Sequence, residues 1–262
     1  MAGTSYVITS GKGGVGKTTT TANVGCALAT LGVQVVLVDA DIGLRNLDLV
    51  LGLEKRIVFD VVDVAEGRCE PRQALIRDKR LDGLYLLPAS QTKDKESIGE
   101  DQMRDVVGKL TKEFDIVLID CPAGIEHGFR NAIAGADEAI IVTTPEVSAI
   151  RDADRILGML GTRRTQLIVN RVRTEMVKTG DMLGVDDVAE ILGRDVLGVV
   201  PDDEEIIDTT NRGEPVVLDP SRRLSKTYIA IARRLLGENV PLPSFDDDGL
   251  FGRLRRLMIG TR

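Results

Sequence analysis

The sequence predicts an α/β protein: a mainly parallel, twisted sheet with helices on both faces. Two observations predict it. Val35–Asp39 and Ile116–Asp120 are continuous apolar runs, each ending in aspartate, and such runs suit parallel strands buried on both faces. The short run Ser5–Thr9 is followed by a glycine-rich loop and then by a helical stretch, Thr20–Leu31, the strand–loop–helix context of a phosphate loop. The 262 residues are most simply one large α/β domain, and a hydrophobic fraction of 43% can supply its core. Aromatic residues make up only 3%, so Val, Ile, Leu and Ala must fill it.

The loop itself is Ser10-Gly11-Lys12-Gly13-Gly14-Val15-Gly16-Lys17-Thr18-Thr19, which satisfies Gly-x-x-x-x-Gly-Lys-Ser/Thr. Glycines let the backbone curl so that successive N–H groups face phosphate oxygens, and the helix N-terminus adds partial positive charge. The stretch predicts a P-loop NTPase-like fold with nucleotide cradled by Gly11, Lys12, Gly13, Gly14, Val15, Gly16, Lys17, Thr18 and Thr19. Lys17 reaches the outer phosphates and Thr18 joins a Mg²⁺ shell. Lys12 is a second lysine where one already serves the nucleotide. It has another job, or it is a solvated side chain that adds positive potential.

Asp39 ends the second apolar run, at the strand end where open α/β sheets bind ligands. Asp39 is expected to hold a water of the Mg²⁺ shell and Asp41 to orient the attacking water; the alternative is a turn and helix cap. Gly43–Asp48 is expected to be a polar loop that moves with nucleotide state. Val58–Ala65 reads as helix, Glu70–Ile76 as a short helix, Leu84–Pro88 as a strand and Asp101–Phe114 as an amphipathic helix. Asp120 ends the Ile116–Asp120 strand and opens Asp-Cys-Pro-Ala-Gly, with Asp120 a further Mg²⁺ candidate and the Gly124 N–H a γ-phosphate sensor.

Further strands are expected at Glu138–Thr144, Gln166–Arg171 and Val196–Pro201, with helices at Glu146–Leu160, Asp186–Leu192, Glu204–Thr210 and Ser221–Leu236. Asn170 offers a donor and an acceptor to an adenine edge. Arg171, Pro201 and Asp203 are the other candidates for that contact, while Asp202 and Asp203 also suit a cap on the next helix. Residues 238–249 form a Pro- and Asp-rich linker. In 250–262, Leu250, Phe251, Leu254, Leu257 and Met258 share one helical face flanked by Arg253, Arg255 and Arg256. The pattern is expected to lie on a membrane surface, the alternative being a packed terminal helix. Residues 1–237 are then the ATPase domain.

A net charge of −7 and a pI near 5.0 argue against a generally basic nucleic-acid binder. Cys26, Cys69 and Cys121 are scattered without Cys-x-x-Cys, so structural zinc or an iron–sulfur cluster within one chain is not expected. His127, the sole histidine, is expected to be structural or on the surface. The N-terminus carries no basic-then-apolar leader, and no apolar run approaches the ~20 residues that span a bilayer.

Lys-Gly-Gly-Val-Gly-Lys-Thr-Thr, Asp41–Asp48, Pro88–Thr92, Pro122–Glu126 and Thr144–Ser148 together resemble the deviant Walker A ATPases of the MinD/ParA family, and within it the bacterial MinD branch that sets the division site. The resemblance implies ATP and Mg²⁺ as ligands. It implies Lys12, Lys17 and Asp41 as the residues of catalysis, Lys12 acting across an ATP homodimer on the partner's nucleotide, and Thr18, Asp39 and Asp120 at the metal. It further implies recruitment of the division inhibitor MinC, response to MinE or another topology factor, and partner contacts through the helix carrying Arg151, Asp152, Asp154 and Arg155. The protein would be cytoplasmic, and peripheral on the inner face of the anionic cell membrane when ATP-bound. A ParA-type DNA- or cargo-positioning ATPase is the alternative.

Overall fold

The computed structural model describes residues 2–94, 96–122, 124 and 127–243. The predicted membrane-targeting segment, 250–262, and the second half of its linker, 244–249, lie outside the described residues. Eight strands form one sheet in the order β3-β4-β2-β5-β1-β6-β7-β8. They are β1 (Thr4–Thr9), β2 (Val35–Asp39), β3 (Ile76–Arg77), β4 (Leu84–Leu87), β5 (Ile116–Asp120), β6 (Glu138–Thr143), β7 (Thr165–Val172) and β8 (Val196–Pro201). Every pairing is parallel except β3 with β4.

The apolar runs are explained by the pleat, which sends alternate side chains to opposite faces. Val7, Val36, Val38, Val117, Ile119, Ile141 and Val169 enter a core under α3 (Val61–Ala65), α5 (Glu100–Leu110), α6 (His127–Ala134), α7 (Val147–Leu160) and α9 (Val185–Leu192). Tyr6, Ile8, Val35, Leu37, Leu118, Ile140 and Ile168 enter the core of the other face. There they meet α1 (Lys17–Thr30), α2 (Leu47–Leu51) and α11 (Arg223–Leu235). The topology turns at β1: the chain fills the β2 side first and then β6, β7 and β8. The loop after β1 therefore opens at the switch point, where α/β sheets bind ligands.

Several expectations needed correction. The helix after the phosphate loop begins at Lys17, not Thr20. The expected polar loop Gly43–Asp48 turns helical at Leu47, because Leu47 and Leu51 bury completely on the α1 face. Of Val58–Ala65 only Val61–Ala65 is helical: Asp60 caps it, accepting from the Val62 and Asp63 N–H groups, while Asp63 accepts from the Asp60 N–H. Glu70–Ile76 splits into α4 (Pro71–Ala74) and β3, whose Ile76 pairs antiparallel with Leu86. Asp101–Phe114 stops being helical at Leu110. Helices α6 and α8 (Thr174–Thr179) were not anticipated; α10 spans Glu205–Asn211.

Candidate nucleotide-binding site

The loop Ser10–Gly16 leaves β1 and enters α1 with Gly14 at φ 77 and Gly16 at φ 96, a left-handed geometry that favours glycine. Close approach reinforces it. A Cβ on Gly16 would stand 2.4 Å from Asn170 Nδ2, and one on Gly11 would stand 2.3 Å from the Asp152 carbonyl carbon. Ser10 Oγ donates to the Lys12 carbonyl at 2.8 Å, and Asn170 Nδ2 donates to the Val15 carbonyl at 2.7 Å. The loop is thus tied to itself and to β7.

Lys17 opens α1 and is buried, 7% exposed. Lys12 lies on the rim, its side chain 47% exposed and its Nζ 3.5 Å from Glu146 Oε2, just before α7. The two lysines sit in different environments.

Asp39 and Asp120 end adjacent strands as direct register partners, both completely buried. Asp39 accepts from the Asp41 N–H at 3.0 Å and the Leu47 N–H at 3.1 Å. Thr21 Oγ1 donates to Asp120 at 3.0 Å. Burial, and then the charge of Asp120, push the Asp39 carboxyl up to about 8. Burial pushes Asp120 up to about 6, against the pull of Thr18, Lys17 and Thr21. Half-buried Asp41 adds its negative charge to both. Three carboxylates converge behind the loop with little cationic compensation, which is the electrostatic setting a divalent cation relieves. Among the described residues no three His, Cys, Asp or Glu side chains form a closed metal cage. Two carboxylates with the Thr18 hydroxyl instead fit Mg²⁺, which keeps its waters and takes phosphate oxygens.

Gly43 N–H donates to the Ser90 carbonyl at 2.8 Å, so the Asp41–Asp48 segment and the Pro88–Thr92 segment meet. Arg45 holds φ 47 and pairs with buried Asp48 at 2.9 Å. Gly124 lies at φ 91 after Asp120, while Ala123, Ile125 and Glu126 fall outside the described residues.

The adenine candidates do converge. Asn170, Arg171, Pro201 and Asp203 line one cleft of about 360 Å³ with Gly16 and Thr19. Their individual bonds modify the expectation. Asn170 spends a donor on Val15, leaving less of its amide for a base. Asp203 accepts from the Glu205 N–H at 3.0 Å at the head of α10, the capping alternative. Asp202 pairs with Arg173 at 2.6 Å. Arg171 sits at φ 56.

A second cleft of about 690 Å³ joins Lys17, Thr18 and Thr19 to Asn46, Arg212 and Gly213. The sequence reading passed over the last two. Nothing local in the sequence marks them; Gly213, at φ 66, meets Gly52, at φ 65, so closely that a Cβ on Gly52 would stand 2.7 Å from the Gly213 carbonyl oxygen.

Residues 6–216 match the model of the CobQ/CobB/MinD/ParA nucleotide binding domain. The chain is 54% identical over 260 residues to the septum site-determining protein MinD of Bacillus subtilis, covering 97% of each. Among solved structures it resembles a chain of the MinC:MinD cell division protein complex of Aquifex aeolicus, with a TM-score of 0.86, 51% identity, and coverage of 92% of this chain and 98% of that one. It also resembles the MinD of Pyrococcus horikoshii complexed with Mg-ADP, with a TM-score of 0.81, 28% identity, and coverage of 90% and 99%.

Proposed function

The chain belongs to the CobQ/CobB/MinD/ParA nucleotide-binding family, and from that premise we propose that it is an ATP-driven dimerising membrane switch that helps place the division septum. Gly11–Thr19 hold the phosphates, with Lys17 on the outer ones. Thr18, Asp39 and Asp120 would hold Mg²⁺, which would neutralise phosphate charge and so favour attack at the γ-phosphorus. Asp41 orients a water, whose oxygen bonds to that phosphorus as the bond to the ADP oxygen breaks; the water's protons leave on the phosphate released or pass to solvent, and ADP and phosphate form. Lys12 reaches the nucleotide of a second copy. Asn170, Arg171, Pro201 and Asp203 border the base.

The observation that carries this reading is the pair of lysines, one buried at the helix start and one on the rim, in front of register-paired aspartates. Membrane attachment rests on the amphipathic pattern of 250–262, behind the Pro- and Asp-rich linker 238–249. Two such tails on one dimer make the second insertion intramolecular, which raises avidity by roughly 10²–10⁴ without a new contact. Hydrolysis separates the copies and removes that gain. MinC is the partner this reading assigns to the ATP dimer, with MinE or another topology factor triggering hydrolysis; the relative in Aquifex aeolicus is found with MinC. Light scattering with ATP tests the dimer. Lys12→Ala is expected to bind nucleotide and remain monomeric, and normal ATP-driven dimerisation of that variant would overturn the reading.

A further inference from the structure

Helix α11 faces two ways. Leu224, Ser225, Tyr228, Ile231 and Ala232 bury against α1 and β8. At 100° per residue the opposite arc holds Arg223, Lys226, Thr227, Ala230 and Arg233. Arg223, Lys226 and Arg233 are exposed, while Thr227 and Ala230 are small and partly covered. In its 13 residues α11 carries Arg223, Lys226, Arg233 and Arg234 and no carboxylate. This is unusual for a chain of net charge −7, whose surface helices α5 and α7 mix the two signs. Arg233 shares its charge with Glu238 at 2.7 Å. Arg223 and Lys226 have no ionic partner among the described residues. Arg223 and Lys226 stand about 4.5 Å apart along the helix axis at ~1.5 Å per residue, two exposed cations one turn apart with no anion paired to either among the described residues.

The same helix leads into the tail. Arg234 Nε donates to the Val240 carbonyl at 2.7 Å, its Nη1 to the Leu197 carbonyl of β8 at 3.0 Å and its Nη2 to the Pro241 carbonyl at 2.7 Å. One guanidinium therefore pins the start of the linker beside the end of α11. A tail that inserts in a bilayer is therefore rooted at the end of the helix that carries these cations.

We propose that the outward face of α11, through Arg223 and Lys226, is a second membrane contact that docks the folded domain on anionic headgroups. The inference rests on the proposed membrane role of the tail. The tail supplies apolar insertion; the pair of cations supplies charge and fixes which side of the domain faces the bilayer. Cations held near an anionic surface each contribute favourably, and the contribution fades within a Debye length.

The test is ATP-dependent co-sedimentation of the full chain with vesicles of phosphatidylglycerol and phosphatidylcholine, and with phosphatidylcholine alone. The double variant Arg223→Gln/Lys226→Gln should weaken binding to the anionic vesicles by about 30-fold. It should leave ATP-driven dimerisation unchanged, and Arg223→Lys/Lys226→Arg should restore binding. Lys112→Gln/Arg130→Gln makes the same charge change on α6 and beyond α5, on the opposite face of the sheet, and should shift binding less than twofold. Unchanged affinity in the α11 variant, or equal loss in the control, overturns the inference while leaving the tail's role intact. ATP-dependent binding to duplex DNA that the α11 variant loses, with vesicle binding unchanged, assigns the pair to nucleic acid instead and also overturns it. Binding that persists after removal of 250–262 refutes the tail reading, and with it the inference.

Discussion

Replacing Asn170 by alanine removes the bond from its Nδ2 to the Val15 carbonyl at 2.7 Å. Val15 is 4% exposed and Asn170 8% exposed, so water cannot readily replace the lost donor. A buried acceptor left unpaired costs about 1–3 kcal/mol. Asn170 also packs against Gly16, so the truncation opens space beneath the loop at its tightest point. If the loop loosens when free and must re-form around phosphate, that cost appears in binding, about 5- to 150-fold in Kd at tenfold per 1.4 kcal/mol. Calorimetric titration with Mg-ATP and with Mg-tripolyphosphate separates the two possible roles of Asn170. A latch on the loop weakens both ligands by the same factor, since both use the loop. Weaker ATP with unchanged tripolyphosphate would show that Asn170 serves the base, and unchanged binding of both would show that the bond does not hold the loop at all.

Other outcomes follow from the same geometry. Lys17→Ala should abolish measurable nucleotide binding, and retained affinity by calorimetry would remove the loop from the site. Asp41→Ala should bind ATP and dimerise yet hydrolyse it roughly 10²–10⁴-fold more slowly in a phosphate-release assay, the usual worth of positioning and proton handling. Gly16→Ala should weaken nucleotide binding and lower the melting temperature, because its Cβ meets Asn170 at 2.4 Å and its φ is 96. The nucleotide-free protein should lose stability as pH rises from about 4 towards 8: burial raises Asp39 from the ordinary carboxylate value of 3.8 to about 8, so across that window the folded state holds a proton that the unfolded state has released. Melting in chelator at pH 5.5 and 8 checks the sign, and Asp39→Asn should flatten the slope.

The sheet was legible because its strands bury both faces, which writes them as unbroken apolar runs: Val35–Asp39, Ile116–Asp120 and Val196–Pro201 have the same bounds in sequence and structure. The phosphate loop was legible because its glycines are constrained locally. Strand β3 was not, since two residues carry no period and its pairing with β4 is a tertiary choice. Helix α2 was hidden by the polar residues before it, its apolar side showing only once Leu47 and Leu51 meet α1. Asn170 was identified by residue type, but its bond to Val15 joins positions 155 apart, and nothing local announces it. Asp39 and Asp120 were each readable as strand-end carboxylates. Their mutual effect on charge depends on β2 lying beside β5, which only the strand order supplies.

The most direct measurement is sedimentation of the full chain with anionic liposomes in ATP and in ADP, beside a chain ending at Gly249. The account predicts pull-down with ATP alone, lost on truncation although ATP still drives dimerisation. Equal pull-down in the two nucleotides, or pull-down that survives the truncation, would contradict it.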